Sequence, residues 1–505
     1  MAWKPLVVLL ALAWQWWVPG SASASSPPGA PTNVLARAAI GCALVSWTPP
    51  ASSGSSPITS YDVVSQNAAG VVLSQTSVPA TQTSAMIAGL FPSPQTFTVD
   101  AVNASGAGPA SLPSAQVTVQ AGGTYHPLSP VRILDTRQSF LGRPPGPLGP
   151  GETLQVPPSV GGFPATGVSA VVLNVTVTDT TAAGFLTMWP TAVPMPVTSS
   201  VNWTAGATVP NLVEVPVRDP SGISSVSGFD IFNSQGFTDV VLDLEGYVGD
   251  FTNSTGRDGM FNVLQPARLM DTRSGTALGA GGRRDLQVAG GGGVPSSGVS
   301  AVVLNVTATA PTASSFLTVW PAGEPRPQAS NLNFTPGQTV PNRVVVKLGA
   351  GGAVSIFNLS GSVDVVVDVN GWFTDTTSTA GGSGFMVAMP TRIFDSRDTG
   401  LPLTGGETTP ILYQSGATAA ALVLNVTATD VAAPTFLTLF PDGAPRPPTS
   451  DLNPTPGQVE ANLTVVGARQ QSVGVQAFDV FVASGSLDVV IDVSGFYTAP
   501  VPPLM

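Results

Sequence analysis

Aspartate and arginine recur at fixed positions in a chain that otherwise carries few charges. Three segments contain the pattern Asp-x-Arg, and each is followed by two aspartates that lie four residues apart. The positions are Asp135, Arg137, Asp239 and Asp243; Asp271, Arg273, Asp364 and Asp368; and Asp395, Arg397, Asp488 and Asp492. Carboxylates in this arrangement could hydrolyse a glycoside, bind calcium or form ion pairs with the arginines.

The spacing of the later aspartates argues against a catalytic pair. Residues four apart on an extended strand are separated by about 13 Å at roughly 3.3 Å per residue, whereas the carboxylates of a glycosidase lie about 5 to 9.5 Å apart. We therefore predict structural ion pairs that tie the ends of each segment together, because buried charges are stable only when paired. The expected pairs are Arg137 with Asp243 or Asp239, Arg273 with Asp368 or Asp364, and Arg397 with Asp492 or Asp488.

Other catalytic and metal-binding patterns are missing from the sequence. His126 is the only histidine and Cys42 the only cysteine, which excludes a zinc site of the His/Cys type and a histidine-based triad repeated in three segments. The run Gly290 to Gly293 is not followed by the Lys-Ser/Thr pair of a phosphate-binding loop. We predict no catalytic residue, no metal and no cofactor. If the protein is an enzyme, a glycosidase-type hydrolase with carboxylates from separate strands is the remaining hypothesis.

One strand pattern combines a polar face with an apolar face. Asn174, Thr176 and Thr178 alternate with apolar residues, so their side chains share one face. The pattern returns at Asn305, Thr307 and Thr309 and at Asn425, Thr427 and Thr429. Such a face could be a sugar-binding ladder or an ice-like flat array. We expect the simpler alternative, a strand with one solvated face.

A second strand pattern is aromatic. Phe185, Thr187 and Trp189 share a face, and two later segments repeat the pattern. These rings would form a platform for sugar rings if exposed and part of the core if buried; we expect core. Trp203 and Trp372 have no tryptophan at the equivalent positions of the other segments. We predict that these two tryptophans are the exposed ligand contacts.

The composition indicates the elements that must position these residues. Of the 505 residues, 55 are glycine and 49 proline, and only 9% are charged. Glycine and proline disfavour helices, which argues against a helical bundle or a coiled coil. The hydrophobic fraction of 43% is too high for a disordered chain. Many short strands joined by turns remain, so we predict an all-β fold.

An internal repeat organises most of the chain. Asn174 and Asn211 are 37 residues apart, and the equivalent pairs Asn305 and Asn342, and Asn425 and Asn462, have the same spacing. We predict three β-sandwich-like modules in a row at residues 122–250, 258–374 and 384–499, here called copies 1, 2 and 3, with the 37-residue stretch at the packed centre of each. The repeat resembles a tandem repeat of secreted proteins from actinobacteria and related bacteria. That resemblance implies an extracellular location and no particular mechanism.

Residues 27–121 have a different pattern. Ala43, Val45 and Trp47 share one strand face, and Phe97 begins a second strand of the same kind. This segment resembles a fibronectin type III domain, which implies a seven-stranded sandwich with Trp47 in its core. The predicted fold class is therefore a fibronectin type III sandwich followed by three tandem β-sandwich-like repeats.

The N-terminus and the net charge indicate where the protein acts. Residues 1–24 contain Lys4, an apolar run and the small residues Ala22 and Ala24, which are typical of a secretory signal peptide cleaved after Ala24. We expect no membrane contact after cleavage. The formal net charge of −11 argues against a nucleic-acid partner.

We therefore expect a secreted, non-enzymatic protein of the cell surface or matrix, whose repeats act as a spacer or an adhesive binding array. Its partner would be a cell-wall or extracellular polysaccharide or a surface protein. The alternative is an accessory, carbohydrate-binding protein of extracellular polysaccharide degradation, because the fibronectin-like domains of bacteria often accompany glycoside hydrolases.

Overall fold

The structure is a computed structural model in which almost every element is a β-strand. It describes residues 25–38, 43–87, 90, 93–119, 122–160, 163–191, 193–217, 228–250, 257–414, 419–472 and 475–501. Strands account for 57% of the described residues and helices for 2%, which confirms the all-β prediction. The predicted signal peptide and Cys42 lie outside the described residues. Within the described part, no helix is long and apolar enough to cross a membrane.

The N-terminal strands form two sheets with the predicted alternation of buried residues. Trp47 is buried, and its ring centroid lies 5.3 Å from that of Tyr61. One sheet has the order β1-β2-β5 and the other β4-β3-β6-β7, with β8 paired to β6. The strands are β1 (Thr32–Ala38), β2 (Ala43–Thr48), β3 (Ile58–Asn67), β4 (Val72–Pro79), β5 (Ser84–Ile87), β6 (Pro94–Asn103), β7 (Gly106–Ala107) and β8 (Val117–Thr118).

Copy 1 is a sandwich of two four-stranded sheets. Its inner sheet has the order β14-β11-β16-β9 and its outer sheet the order β10-β15-β12-β13. Its strands are β9 (Tyr125–Asp135), β10 (Thr153–Val156), β11 (Val168–Thr178), β12 (Gly184–Pro190), β13 (Val201–Trp203), β14 (Val209–Pro216), β15 (Phe229–Asn233) and β16 (Asp239–Gly249).

Copy 2 repeats this topology, with an inner sheet β17-β24-β19-β22 and an outer sheet β18-β23-β20-β21. Its strands are β17 (Phe261–Asp271), β18 (Arg283–Gln287), β19 (Val299–Thr309), β20 (Ser315–Pro321), β21 (Leu332–Phe334), β22 (Val340–Lys347), β23 (Ala353–Asn358) and β24 (Asp364–Thr374). Short 3-10 helices lie at Thr272–Ser274 and Ala350–Gly352.

Copy 3 has the inner sheet β25-β33-β28-β30 and the outer sheet β27-β32-β29, with β26 added to β33 and β31 to β32. Its strands are β25 (Phe385–Asp395), β26 (Leu403–Thr404), β27 (Thr408–Gln414), β28 (Ala419–Thr429), β29 (Leu437–Pro441), β30 (Glu460–Gly467), β31 (Arg469–Ser472), β32 (Val475–Val482) and β33 (Ser486–Thr498). One short helix, α1, spans Ser396–Thr399.

The three copies do not lie in a row as separate modules, so that expectation is wrong. The chain from Gln116 onward falls within one compact unit. Each copy has a core between its two sheets, but a fourth core contains residues of all three inner sheets. Strands β14, β22 and β30 contact one another pairwise, so the copies surround a common axis.

The fourth core, here called the axial core, forms because the inner sheets are apolar on both faces. Val171 and Leu173 pack inside copy 1, whereas Ala170 and Val172 point the other way and are buried against copies 2 and 3. The face that carries Asn174 is therefore buried, and the expected solvated face is wrong for this strand. The described residues that copies 2 and 3 add to the axial core include Ala301, Val303, Val345, Ala421, Val423, Leu463 and Val465.

Candidate ligand-binding clefts between the repeats

Six asparagines join the copies around the common axis. Each pair separated by 37 residues contributes one amide to each of two contacts between copies. The Nδ2 atoms donate to Oδ1 atoms from Asn342 to Asn174 (2.8 Å), from Asn462 to Asn305 (3.0 Å) and from Asn211 to Asn425 (2.9 Å). The contacts run from copy 2 to 1, from 3 to 2 and from 1 to 3, so the ring closes.

The same asparagines fix how neighbouring copies face each other. Asn174 Nδ2 donates to the carbonyl oxygen of Ser330 in copy 2 at 2.6 Å. Asn305 bonds Ser450 in the same way at 2.7 Å, and Asn425 bonds Ser199 at 2.7 Å. The polar strand of each copy therefore meets the loop that follows the aromatic strand of the next copy. We call these junctions seam 1–2, seam 2–3 and seam 3–1.

The arginines of the opening strands pair differently from the prediction. The buried Asp243 is bound by Arg132, whose Nε lies 2.8 Å from Oδ1. Arg137 binds Asp135, two residues before it, with 2.8 Å between Nη2 and Oδ2. The other copies repeat both pairs, as Arg268–Asp368, Arg392–Asp492, Arg273–Asp271 and Arg397–Asp395. The predicted pairing of Arg137, Arg273 and Arg397 with the closing aspartates is wrong.

Local geometry explains the difference. The register of β9 and β16 places Asp243 opposite Arg132, whereas Arg137 lies beyond the end of β9. The carboxylate of Asp135 accepts from the backbone N–H of Arg137 as well as from its side chain, which holds that pair within one turn. Asp239, Asp364 and Asp488 accept hydroxyl hydrogen bonds instead, from Thr136 (2.6 Å), Thr272 (2.8 Å) and Ser396 (2.6 Å).

The two classes of aspartate have opposite pKa shifts. The hydrogen bond from Arg273 holds the pKa of Asp271 well below its usual range, and the equivalent arginines lower the pKa of Asp135 and Asp395. Burial raises the pKa of the inner class against the opposing effect of the arginine; its members are Asp243, Asp368 and Asp492. The inner ion pairs are thus partly desolvated, whereas the arginine of each outer pair is about half exposed to solvent.

Neither Trp203 nor Trp372 is an exposed ligand contact, so that prediction is wrong. Trp203 is 2% exposed and packs inside copy 1, where its indole N–H donates to the carbonyl of Ala182 at 2.9 Å. The ring lies over Gly184, where a Cβ atom would come within 3.0 Å of it. Trp372 is 5% exposed and packs inside copy 2, because it alternates along β24 with Phe373, which occupies the axial core.

The aromatic strands are core at one end and partly exposed at the other. Trp189 is buried, and its indole N–H donates to the carbonyl of Val193 at 3.1 Å; Trp320 and Phe440 are buried too. Phe185 is 37% exposed and Phe436 36%. The prediction of core is therefore right for one ring of each strand and wrong for Phe185 and Phe436.

Seam 1–2 contains an open cleft of about 370 Å³. Copy 1 contributes Arg132, Arg137 and the threonines of its polar strand, and copy 2 contributes Phe316 and Arg326. The polar strand and the aromatic strand, which lie 140 residues apart between Thr176 and Phe316, thus line a single site. This combination could not be read from one repeat, because its two halves belong to different copies.

Seam 3–1 contains the equivalent cleft, with a volume of about 650 Å³. Thr427 and Thr429 of copy 3 face Phe185 and Met195 of copy 1. At seam 2–3, side chains bridge the two copies: Arg268 Nη2 donates to the carbonyl of Pro448 at 3.3 Å, and Gln265 Nε2 donates to that of Pro445 at 2.8 Å.

Each of the two clefts is lined by a threonine whose hydroxyl group lacks a hydrogen-bond partner among the described residues. Thr176 and Thr427 are each 5% exposed, and the hydroxyl oxygen of each has no hydrogen-bond partner among the described residues. The two threonines hold equivalent positions and line the clefts of seams 1–2 and 3–1. A buried hydroxyl without a partner costs free energy, which a ligand or an ordered water would recover.

The aspartates beside the cleft at seam 1–2 are engaged in ion pairs. Asp135 and Asp243 share Arg132, but both carboxylates are buried and both oxygens of each are engaged by guanidinium groups. Neither can act as a free acid or base there. Over the described residues, no group of three or more His, Cys, Asp or Glu side chains is placed to hold a metal ion.

Comparison with known proteins identifies the N-terminal domain. Residues 29–117 match the fibronectin type III domain family, which confirms the predicted resemblance. No curated protein sequence matches the chain. Similar solved structures contain fibronectin type III domains. One is the twitchin kinase region from C. elegans, which is 25% identical over 19% of this chain, with a TM-score of 0.18. Another is the FN1–FN3 domains of chicken CNTN1, which are 14% identical over 69% of this chain and 94% of that one, with a TM-score of 0.17. The chain spans 17% of the twitchin structure.

Proposed function

We propose that this chain is a secreted, non-enzymatic protein of the cell surface or matrix that binds extracellular polysaccharide in the clefts at seams 1–2 and 3–1. The fibronectin type III domain fits an extracellular protein built of β domains. The signal-peptide pattern of residues 1–24 supports export. In this proposal the sequence copies 122–250, 258–374 and 384–499 are parts of one binding body.

The observation that carries the proposal is the pairing of threonine hydroxyls with partly exposed phenylalanine rings in two equivalent clefts. A sugar ring presents apolar C–H groups on one face and hydroxyls around its edge. At seam 1–2, Phe316 offers a surface for the apolar face and Thr176 a buried hydroxyl that can both donate and accept a hydrogen bond. At seam 3–1, Phe185 and Thr427 offer the same two features. Two such clefts on one chain would strengthen binding to a polymer beyond that of either cleft.

A pull-down of the full chain against chitin, cellulose and purified cell wall tests the proposal. We expect the chain to bind at least one polymer, single Phe185→Ala and Phe316→Ala variants to bind it more weakly, and the double variant to lose binding. Phe237→Ala is the matched control, because Phe237 is 51% exposed and lies outside both clefts. Failure of the wild-type chain to bind any of these polymers, or the charged polymer polygalacturonate, would refute the function.

The alternative is an accessory role in polysaccharide degradation, either beside a glycoside hydrolase or through hydrolysis by the chain itself. The same assay separates the cases when it also measures released sugar. Binding without release supports the surface protein. Faster release only when a hydrolase is added supports the accessory role. Release of sugar by the chain alone would show that it is an enzyme.

A further inference from the structure

One position distinguishes the clefts from each other. Arg326 in copy 2 corresponds to Arg446 in copy 3, but to Met195 in copy 1. The guanidinium carbon of Arg326 lies 3.9 Å from the ring centroid of Phe357, and that of Arg446 lies 3.7 Å from the centroid of Phe481. The cleft of seam 1–2 therefore contains a stacked arginine where the cleft of seam 3–1 contains a methionine.

The charge of Arg326 has no counter-charge among the described residues. The other two arginines of this cleft are paired, Arg132 with Asp243 and Asp135, and Arg137 with Asp135. Arg326 makes no ion pair or hydrogen bond with a described residue. Its side chain is exposed, and stacking on Phe357 holds the guanidinium plane in place. The donors of a positioned guanidinium thus remain available at the edge of the cleft.

We propose that the cleft at seam 1–2 binds a sugar unit that carries a carboxylate, such as a uronic acid, and that Arg326 recognises that carboxylate. This inference rests on the proposed function and specifies its ligand. The planar donor fork of arginine matches a carboxylate in two parallel hydrogen bonds. The threonine hydroxyls and Phe316 bind the rest of the ring. The cleft at seam 3–1 binds neutral sugar, because Met195 offers an apolar contact in place of the charge.

An acidic polysaccharide can bind this chain only at a local site of positive charge, because the chain as a whole is acidic. A formal net charge of −11 repels a polyanion at long range, so an acidic polysaccharide is retained only where fixed positive charge faces it. The binding should also weaken as salt is added, since the Arg326 site is exposed and ionic strength screens exposed charges over about 10 Å at 0.1 M.

The test compares polygalacturonate with its methyl ester, which has the same backbone without the charge. We expect the full-length chain to bind polygalacturonate about tenfold or more tightly than the ester, in line with a charge-assisted hydrogen bond. Arg326→Met should abolish this preference and leave binding to the ester unchanged. Met195→Arg, which introduces the missing charge at seam 3–1, should strengthen binding to polygalacturonate. Thermal melting of each variant checks that it is folded.

Arg446→Met is the matched control, because it removes an equally stacked arginine from seam 2–3, where Arg268 and Gln265 bridge the two copies. Equal binding of both polymers by the wild type, or an unchanged preference in Arg326→Met, would overturn the carboxylate assignment. Stronger binding to dextran sulfate than to polygalacturonate, lost in Arg326→Met, would overturn it in favour of a sulfated sugar. Absence of binding to every polymer, neutral or charged, would instead refute the proposed function.

Discussion

Arg132 and Arg137 lie five residues apart and have different roles, although their side chains are chemically identical. Arg132 reaches an aspartate that is 1% exposed, while Arg137 binds a turn aspartate and is itself 48% exposed. A buried ion pair becomes costly when one partner is removed, because the other charge remains without a partner. An exposed pair contributes little. The inner arginine of each copy therefore matters more for stability.

Copy 2 offers the clearest test of this difference. Arg268→Ala leaves Asp368, which is 2% exposed, without its cation, and we expect the free energy of unfolding to fall by about 3 to 5 kcal/mol. Arg273→Ala removes a pair whose arginine is 56% exposed, and we expect a change below about 1 kcal/mol. Chemical denaturation of both variants measures the two values. Equal losses would show that the assignment of inner and outer pairs is wrong.

The sequence indicated that these charges are paired but not which residues pair. Arg132 recurs as Arg268 and Arg392 with the same regularity as Arg137 recurs in its own copies, so recurrence alone does not show which arginine pairs with the closing aspartate. The choice depends on the bulged register between β9 and β16, which shifts between Leu242 and Asp243. Alternation along an ideal strand gives no information about such a shift.

At the scale of the elements, the inner strands carry the most information about the assembly. Strand β11 is buried along nearly its whole length, and its sequence Ala-Val-Val-Leu-Asn-Val is almost continuously apolar. A strand with one solvated face would show polar residues at every second position. Ala170 and Val172 break that rule, and this signal could have predicted that a second layer covers the strand. Asn174 looked like part of a solvated face because its partner, Asn342, belongs to another copy.

The asparagine ring gives a prediction at this scale. Asn342 donates to Asn174 Oδ1 and to the carbonyl of Asn331, and accepts from the backbone N–H of Leu212 at 3.1 Å. Asn342→Ala leaves these buried groups without a partner, so we expect the free energy of unfolding to fall by about 1 to 3 kcal/mol for each group left unsatisfied. Asn262→Ala, at a half-buried asparagine with one long bond of 3.5 Å, is the control. A loss no larger than in the control would contradict the role of the ring.

At the scale of the whole molecule, the fold class and the repeat could be predicted, but the closed arrangement could not. Equal 37-residue spacings identified the part of each copy that has no insertions, and that part contains the ring asparagines. The closed arrangement depends on contacts between copies that are more than 100 residues apart in sequence, such as the ion pair of Arg343 with Asp451. Such pairings have no signature within a single repeat. The clefts at seams 1–2 and 3–1 share this origin, since one wall of each cleft comes from one copy and the other wall from the next.

The shared core predicts cooperative unfolding of the chain from Gln116 onward. Calorimetry should show one transition for this unit, because loss of any copy exposes the apolar residues of the other two. A two-copy fragment of residues 122–374 should bind a hydrophobic dye and self-associate, since it exposes a face that copy 3 covers in the full chain. Three separable transitions, or a monomeric two-copy fragment that binds no dye, would contradict the prediction.

Because the ring of copies is closed, some changes in the order of the repeats along the chain keep the contacts between copies and others do not. A circular permutant with the order 2-3-1 keeps every seam, and its new joint is short, because Gly123 pairs with Phe385 and Val501 pairs with Gly382. The order 1-3-2 reverses the direction of the ring, so that the surfaces that form each seam face the wrong copy and the fully buried Arg343 is separated from Asp451. The three copies are thus similar in fold but not interchangeable. A circular permutation of the repeats preserves the three seams, whereas an exchange of two copies disrupts them.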